Sequence, residues 1–293
     1  MSEETKLSLI IPSFNEAENL KIFLPDLISL CDQKKWKIII VNDGSTDNTR
    51  EILNSFPLTA HFIVIHHKLN KGYGAAIKSG ISNCNTEYCI TIDADGQHQF
   101  DDIEKLFNCL RSKDADMIVG SRKGIRSASF SRGIGKSIIR ILAKILMSVP
   151  VHDINSGMKV YRTDLAKKYI HLAPDTMSYS DIITLIFINN RHLVLEEPIT
   201  ITPRLKGEST IGIQTAFQTL MEIINIVILF NPMKIFLPIS IICILITLVW
   251  GIPFIIMGRG VSTGTLLGII SGMIFFLLGL IAEQLSLVRR KQN

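Results

Sequence analysis

The sequence is short of cysteines and aromatics and opens without an apolar stretch, and each shortage excludes a class of protein. Its five cysteines, Cys31, Cys84, Cys89, Cys109 and Cys243, are odd in number and show neither CxxC nor metal-ligand spacing. That excludes a disulfide framework or thiolate metal centre and predicts free thiols. Aromatics are 7% of residues and do not interleave with the basic ones, so the formal charge of +5 does not read as a nucleic-acid surface. The expected partner is an anionic lipid surface or a phosphate-bearing substrate, with no nucleic acid. The opening MSEETKLSLII lacks the apolar core of a signal peptide, so the N-terminal part is expected to remain cytoplasmic. Internal repeats and low-complexity tracts are also missing.

Charge is absent from two stretches near the C-terminus, residues 235–257 and 261–282. Each approaches or exceeds the ~20 residues that a helix needs to cross about 30 Å of hydrocarbon. Residues 258–260 between them have room only for a hairpin turn, so both ends of the pair lie on one side. Lys234, Arg289, Arg290 and Lys291 flank those ends, against Arg259 alone in the turn. The positive-inside bias therefore predicts an integral membrane protein, of an inner membrane or the endoplasmic reticulum, with both termini cytoplasmic. Residues 211–230 are expected to be a helix with Gln214, Gln218, Glu222 and Asn225 on one face, lying in the membrane interface or packed on the soluble part. The expected division is a cytoplasmic domain over 1–210, a juxtamembrane helix over 211–232, a membrane hairpin over 233–288 and a basic tail over 289–293.

The first half alternates strand-like runs (7–11, 37–42, 62–66, 88–93, 116–120) with helical ones (16–31, 47–54, 73–82, 101–111). Such alternation predicts βαβ units around a parallel sheet, whose ligands bind beyond the carboxyl ends of the strands. Three polar runs follow strands directly: PSFNE at 12–16, NDGS at 42–45 and DADG at 93–96. Beyond residue 120 the alternation weakens into an amphipathic helix at 130–147, a strand at 158–162 and an extended run at 193–202.

Asp93 and Asp95 stand two apart at a strand end, where extended geometry points them to one side. Paired carboxylates with a neutral oxygen from Gln97 suit Mg²⁺ or Mn²⁺, which would clamp a diphosphate and stabilise it as a leaving group. Asp43 and Glu16 either accept hydrogen bonds from a nucleobase or ribose or cap the following helix; Ser45 and Asp47 are assigned to capping. The Lys71-Gly72-Tyr73-Gly74 run opens a helix and is read as letting backbone approach a nucleotide.

The runs IPSFNE, NDGSTD, NKGYGAA and DADGQH, with Gly120-Ser121-Arg122, resemble glycosyltransferase family 2, of GT-A fold. DINSG at 153–157 and PRLKGES at 203–209, together with the two spans, resemble its polyprenyl-phosphate glycosyltransferases, of the dolichol-phosphate mannose synthase and bactoprenol glucosyltransferase type. The resemblance implies that Pro12, Phe14, Glu16 and Asp43 contact the nucleotide and that Asp93, Asp95 and Gln97 hold the metal and diphosphate. It also implies that Arg122 and Arg132 meet the lipid phosphate and that Arg204 helps hold the donor diphosphate. Two positions depart from the pattern. Asn42 replaces a usual aspartate, and Thr210 replaces a lysine of many members, which shifts one donor contact onto Arg204 or Lys206. Asp153 either orients the acceptor or bonds neighbouring backbone. Arg132 either joins the clamp or, with Lys136 and Arg140, attracts lipid headgroups.

The expected reaction is inverting, metal-dependent transfer of a sugar from a UDP-glucose-like or GDP-mannose-like donor to undecaprenyl or dolichyl phosphate. A phosphate monoester with its second pKa near ~6 is mostly dianionic at neutral pH and needs no general base. Processive polysaccharide synthases share the fold but carry QxxRW and a longer membrane region; the only tryptophans here are Trp36 and Trp250. An inactive GT-A binding or assembly protein would have no need of Asp93, Asp95, Gln97 and Arg122 together. A homo-oligomer is left open.

Overall fold

A computed structural model of the protein describes residues 6–57, 59, 61–122, 150–200, 221, 224, 227, 228 and 231–292. It divides into two compact units, one of residues 1–139 and 148–219, the other of residues 140–147 and 220–293.

The first unit is built on strands β1 (Leu7–Ser13), β2 (Lys37–Asn42), β3 (Phe62–His66), β4 (Tyr88–Thr91), β5 (Met117–Ser121), β6 (Lys159–Arg162) and β7 (Val194–Pro198). Helices α1 (Ala17–Lys34), α2 (Thr49–Ser55), α3 (Tyr73–Ser82) and α4 (Phe100–Ser112) connect the first five strands. Helices α5 (Thr163–Tyr169) and α6 (Tyr179–Asn189) lie between β6 and β7. The strands form one sheet in the order β3-β2-β1-β4-β6-β5-β7. The interior strand β1, LSLIIPS, is buried along its whole length, as near-continuous apolar runs are in sheets covered on both faces. Leu9 and Ile11 of β1, Ile38 and Ile40 of β2 and Ile90 of β4 join Leu20, Leu24 and Leu27 of α1 and Ile103 and Leu106 of α4 in one core.

Strands β1 to β4 run parallel, with Ser13 opposite Asn42 and Asn42 opposite His66. That register ends β1, β2 and β3 on one level and sets the turns that follow them side by side. The sheet is not wholly parallel as the alternation predicted, because β6 runs antiparallel to both β4 and β5. Helices α5 and α6 were not anticipated either. The α6 sequence YSDIITLIFIN is buried from Tyr179 through Phe187, so it lacks the polar face that reveals a helix by periodicity. The helix expected at 130–147 lies outside the described residues, as does most of the one at 211–230.

In the second unit, helices α7 (Met233–Ile256) and α8 (Thr263–Gln292) form an antiparallel hairpin. Both are long and apolar enough to cross a membrane, with mean hydropathies of 2.7 and 2.4 in segments only 17% buried. The core helix of a soluble protein would be mostly buried; here Val249 and Trp250 are 74% and 63% exposed. The Ser240 hydroxyl donates to the Gly272 carbonyl (2.7 Å), and Gly251 lies against Thr265. Small and hydroxylated residues thus bring the two backbones close.

Candidate active site

The site is assembled from turns beyond the strand ends, and the first two turns are sewn to each other. Asn15 N–H donates to Ser45 Oγ (2.9 Å), Glu16 N–H to Thr49 Oγ1 (3.0 Å) and Thr46 N–H to Asn15 Oδ1 (2.8 Å). Asp47 accepts from Ala17 N–H and Thr49 N–H, the first residues of α1 and α2, so it serves two helix starts. The capping assigned to Asp47 is present, while Ser45 holds the neighbouring turn. Glu16 does not cap with its side chain; its carboxylate accepts from Asn19 Nδ2 (2.5 Å). Pro12 is buried in β1, and Phe14 beyond it is 44% exposed, an aromatic face left open beside the sheet edge.

Asp43 is 2% exposed. Its carboxylate accepts from His67 Nδ1 (2.6 Å), Lys71 N–H (3.0 Å) and Gly72 N–H (2.8 Å). A carboxylate only accepts, so Nδ1 of His67 carries the proton and Nε2 faces the Ser79 hydroxyl at 2.9 Å. Asp43 thereby fixes the turn that opens α3. The backbone of that turn does not lie open for a nucleotide, as the glycines suggested. The Asp175 carbonyl accepts from Gly74 N–H (2.9 Å) and Ala75 N–H (3.3 Å), and a Cβ on Gly74 would lie 3.0 Å from Asp175 Cα. Gly72 and Gly74 are needed because residues 174 and 175 pack on them.

Tyr73, from the same turn, reaches the third run. Its hydroxyl donates to Asp93 Oδ1 (2.8 Å), and His98 Nε2 lies 3.5 Å from Asp93 Oδ2. Burial and the Asp93 charge push the Tyr73 phenol well up, so it stays a donor. Burial also works to raise the Asp93 carboxyl, but the His98 and Tyr73 bonds and the Arg122 charge outweigh it and hold that group below its ordinary value. β4 stops at Thr91 and Asp95 lies in the turn that follows, so the two carboxylates are not both on the extended backbone expected of them. Asp95, 5% exposed, accepts the Gln97 N–H at Oδ1 (3.1 Å).

The fourth element is an ion pair. Arg122 follows β5 and donates to Asp153 from Nε and Nη2, both at 2.7 Å, and from its backbone N–H at 3.0 Å. Nη2 also donates to the Asn155 carbonyl (3.2 Å). Asp153 therefore fixes Arg122 through both its side chain and its backbone N–H; the backbone bond is one of the two roles expected of Asp153, and the hold on the guanidinium is a third that was not expected. Burial works to raise the Asp153 carboxyl, but the guanidinium more than offsets it; the same pairing raises Arg122. Arg132 and Arg204 lie outside the described residues.

Sequence reasoning passed over Tyr73, His67, His98 and Lys159. Lys159 opens β6, whose sequence is KVYR, and is fully buried there, whereas Arg162 at the other end of the strand is only partly covered. Burial pushes its ammonium down to about 7, with Asp181 and Asp153 opposing.

The donor set fits a divalent cation of the expected kind. Among the described residues no three His, Cys, Asp or Glu side chains converge to hold a metal unaided. Mg²⁺ is commonly held by one or two carboxylates with substrate phosphates and water, and Asp93 and Asp95 supply that number. Gly157 packs directly on the Asp93 carboxylate: a Cβ there would lie 2.8 Å from the carboxylate carbon, so a larger residue would push that group from its place.

Residues 8–170 match the family model described as Glycosyl transferase family 2, and residues 231–288 match the GtrB C-terminal hairpin. The polyprenol monophosphomannose synthase of Mycolicibacterium smegmatis is 31% identical over 212 residues, which are 69% of this chain and 79% of that protein. The dolichyl-phosphate beta-glucosyltransferase of Saccharomyces cerevisiae is 29% identical over 226 residues, 68% of this chain and 67% of that one. The structure of glucosyl-3-phosphoglycerate synthase from Mycobacterium tuberculosis, with Mn²⁺, uridine diphosphate and phosphoglyceric acid, aligns with a TM-score of 0.59 at 15% identity, covering 76% of this chain and 78% of that one. That last likeness is one of fold. The first family model spans more than half of the sequence and takes in the first three strand-end turns and the Arg122–Asp153 pair, so this chain is a glycosyltransferase of GT-A fold and belongs to glycosyl transferase family 2.

Proposed function

We propose that the protein transfers a sugar from a nucleotide-sugar to a polyprenyl phosphate at a membrane surface, with inversion at the anomeric carbon. The observation that carries this reading is Arg122, fixed by Asp153 beside Asp93, in a chain that ends in an exposed apolar hairpin. Asp153 occupies the Nε and Nη2 edge of the guanidinium, and among the described residues no acceptor is paired with the Nη1 end, which suits it to a phosphate oxygen. The two relatives act on polyprenol or dolichyl phosphate by name, one with mannose and the other with glucose. The acceptor is thus shared while the sugar differs, and the donor here is given by class only, UDP-glucose-like or GDP-mannose-like.

In this reading Phe14 supplies a face for the base, Pro12 and Glu16 shape its seat, and Asp43 acts by ordering the turn at Lys71 and Gly72. Asp93, Asp95 and Gln97 are the residues that would hold Mg²⁺ or Mn²⁺, which when bound neutralises the donor diphosphate as it departs. Arg122 and Arg132 receive the acceptor phosphate, and Arg204 steadies the donor. A dianionic phosphate is its own nucleophile, so the protein's work is to align two anions and support the leaving group. The domain over 1–210 and the tail over 289–293 are assigned to the cytoplasmic side, and residues 211–232 to the membrane interface, on the Lys234 and Arg289 to Lys291 charges.

The test offers membranes containing the protein a panel of radiolabelled nucleotide-sugars with a polyprenyl phosphate. An organic-soluble labelled product is expected, with a β linkage from an α donor by NMR. Retention of configuration would overturn single displacement, and no lipid product from any donor would overturn the acceptor.

A further inference from the structure

We infer that Lys159 is a positioning residue for the transfer reaction, fastening the Asp153–Gly157 loop from within so that its outer side presents Asp153 to Arg122 and Gly157 to Asp93. The loop is held by two cations on alternating residues. Asp153 and the Asn155 carbonyl accept from Arg122. The carbonyls of Ile154, at 3.0 Å, and of Ser156 accept from the Lys159 ammonium. The third ammonium proton goes to the Ser180 carbonyl (2.9 Å), in the first turn of α6. Three donors meet three acceptors, and only the protonated amine has three to give. Lys159 has no exposed surface, so no water can substitute for it without rearrangement.

What the loop carries gives the fastening its consequence. Asp153 sets the Arg122 fork, and Gly157 borders the Asp93 carboxylate with no space for a Cβ between them. The Gly157 carbonyl accepts from Thr91 Oγ1 (2.7 Å) at the end of β4, just before Asp93. With Lys159 removed, the Ile154 and Ser156 carbonyls lose their buried donors and the loop must turn to find others. Asp153 and Gly157 then move with it. Lys159 touches neither reactant in this scheme; it acts through Arg122 and Asp93. The charge also matters, since Lys159 lies within the fields of Asp181, Asp153 and Asp93.

The inference rests on the transferase reading proposed above. Lys159→Met keeps chain length and removes donors and charge. It is expected to lower kcat about 100-fold, the scale of a displacement near 1 Å, while nucleotide affinity in the absence of acceptor changes less than about threefold. Lys159→Arg, which keeps charge and donors, should recover part of that loss. The double variant Lys159→Met with Asp181→Asn removes the charge imbalance and separates positioning from compensation. It should fold and bind nucleotide but stay slow, because the loop carbonyls still lack their donor. Turnover by either Met-bearing protein within about twofold of the parent would overturn the inference. So would failure of both to bind nucleotide, which would make Lys159 a requirement of folding alone. A parent protein without transferase activity would instead defeat the reading on which the inference stands.

Discussion

Asp95 is nearly enclosed and its orientation is fixed by the Gln97 N–H, so Asp95→Asn removes a charge with little change of volume. Transfer should fall by about 100-fold or more, with the unfolding midpoint moved by no more than about 2 °C, and a chelator should reproduce the loss in the parent. Near-normal turnover of the variant in chelator would remove the metal from the mechanism. Asn42, the departure from the family's aspartate, has a structural counterpart in His66. The Asn42 carbonyl oxygen accepts Ser45 N–H (3.0 Å), which turns its amide nitrogen to His66 Nδ1 (3.2 Å); His66 Nε2 then donates to Asn54 Oδ1 (3.2 Å). An amide suits a neutral imidazole, and burial with the Arg50 charge lowers the His66 pKa. The sign follows: the unfolded chain binds this proton first, so the His66 contribution to stability declines as pH falls through about 6.5. Asn42→Asp replaces the donor by a charge and should raise the His66 pKa above that of the parent, read from imidazole carbon shifts in detergent. An unchanged titration would refute the pairing. Such pairings were not legible in the sequence, where Asn42 and His66 lie 24 residues apart. Asp43 was legible as important, but the sequence offered a ligand or a cap for its carboxylate and gave no sign of Lys71 and Gly72 as its partners.

At the scale of elements, the fit between the α3 turn and residues 174 and 175 gives the clearest test. A Cβ on Gly74 would meet the Asp175 backbone, which cannot rotate away as a side chain can. Gly74→Ala should therefore cost about 1–3 kcal/mol in denaturant unfolding, as overpacked sites do, and should lower turnover by shifting Tyr73 from Asp93. Gly264→Ala, whose Cβ would meet only Ser262 Oγ at 3.9 Å, should stay within about 0.5 kcal/mol of the parent. Equal effects would show that Gly74 serves helix propensity and not packing. The elements themselves were partly legible. Strands Lys37–Asn42 and Phe62–His66 and helix Tyr73–Ser82 fall where β-rich and helical runs placed them, because each is bounded by polar turn residues. The antiparallel direction of β6 was not, since a strand of four residues carries no mark of direction. Nor did the sequence show that Gly72 and Gly74 meet protein backbone, because a glycine turn reads alike whatever approaches it.

For the whole molecule, the charges flanking the hairpin predict which way it lies. Arg259→Cys, in the turn between α7 and α8, should react with a membrane-impermeant maleimide from outside sealed, right-side-out vesicles. Cys109, the partly exposed cysteine of the 1–210 region, should react only after permeabilisation; the opposite pattern would reverse the orientation. The sheet order has a consequence for synthesis. β6 is inserted between β4 and β5, although it is made after both. Among the described strands β5 pairs only with β6 and β7, so it has no partner when it leaves the ribosome. β4 meanwhile shows one unpaired edge until residue 162 has emerged. Open edges recruit strands from other chains, so closely spaced nascent copies are exposed to aggregation over the whole interval between Ser121 and Lys159. The apolar hairpin follows later still, so the half-built sheet stands exposed before either α7 or α8 has been made.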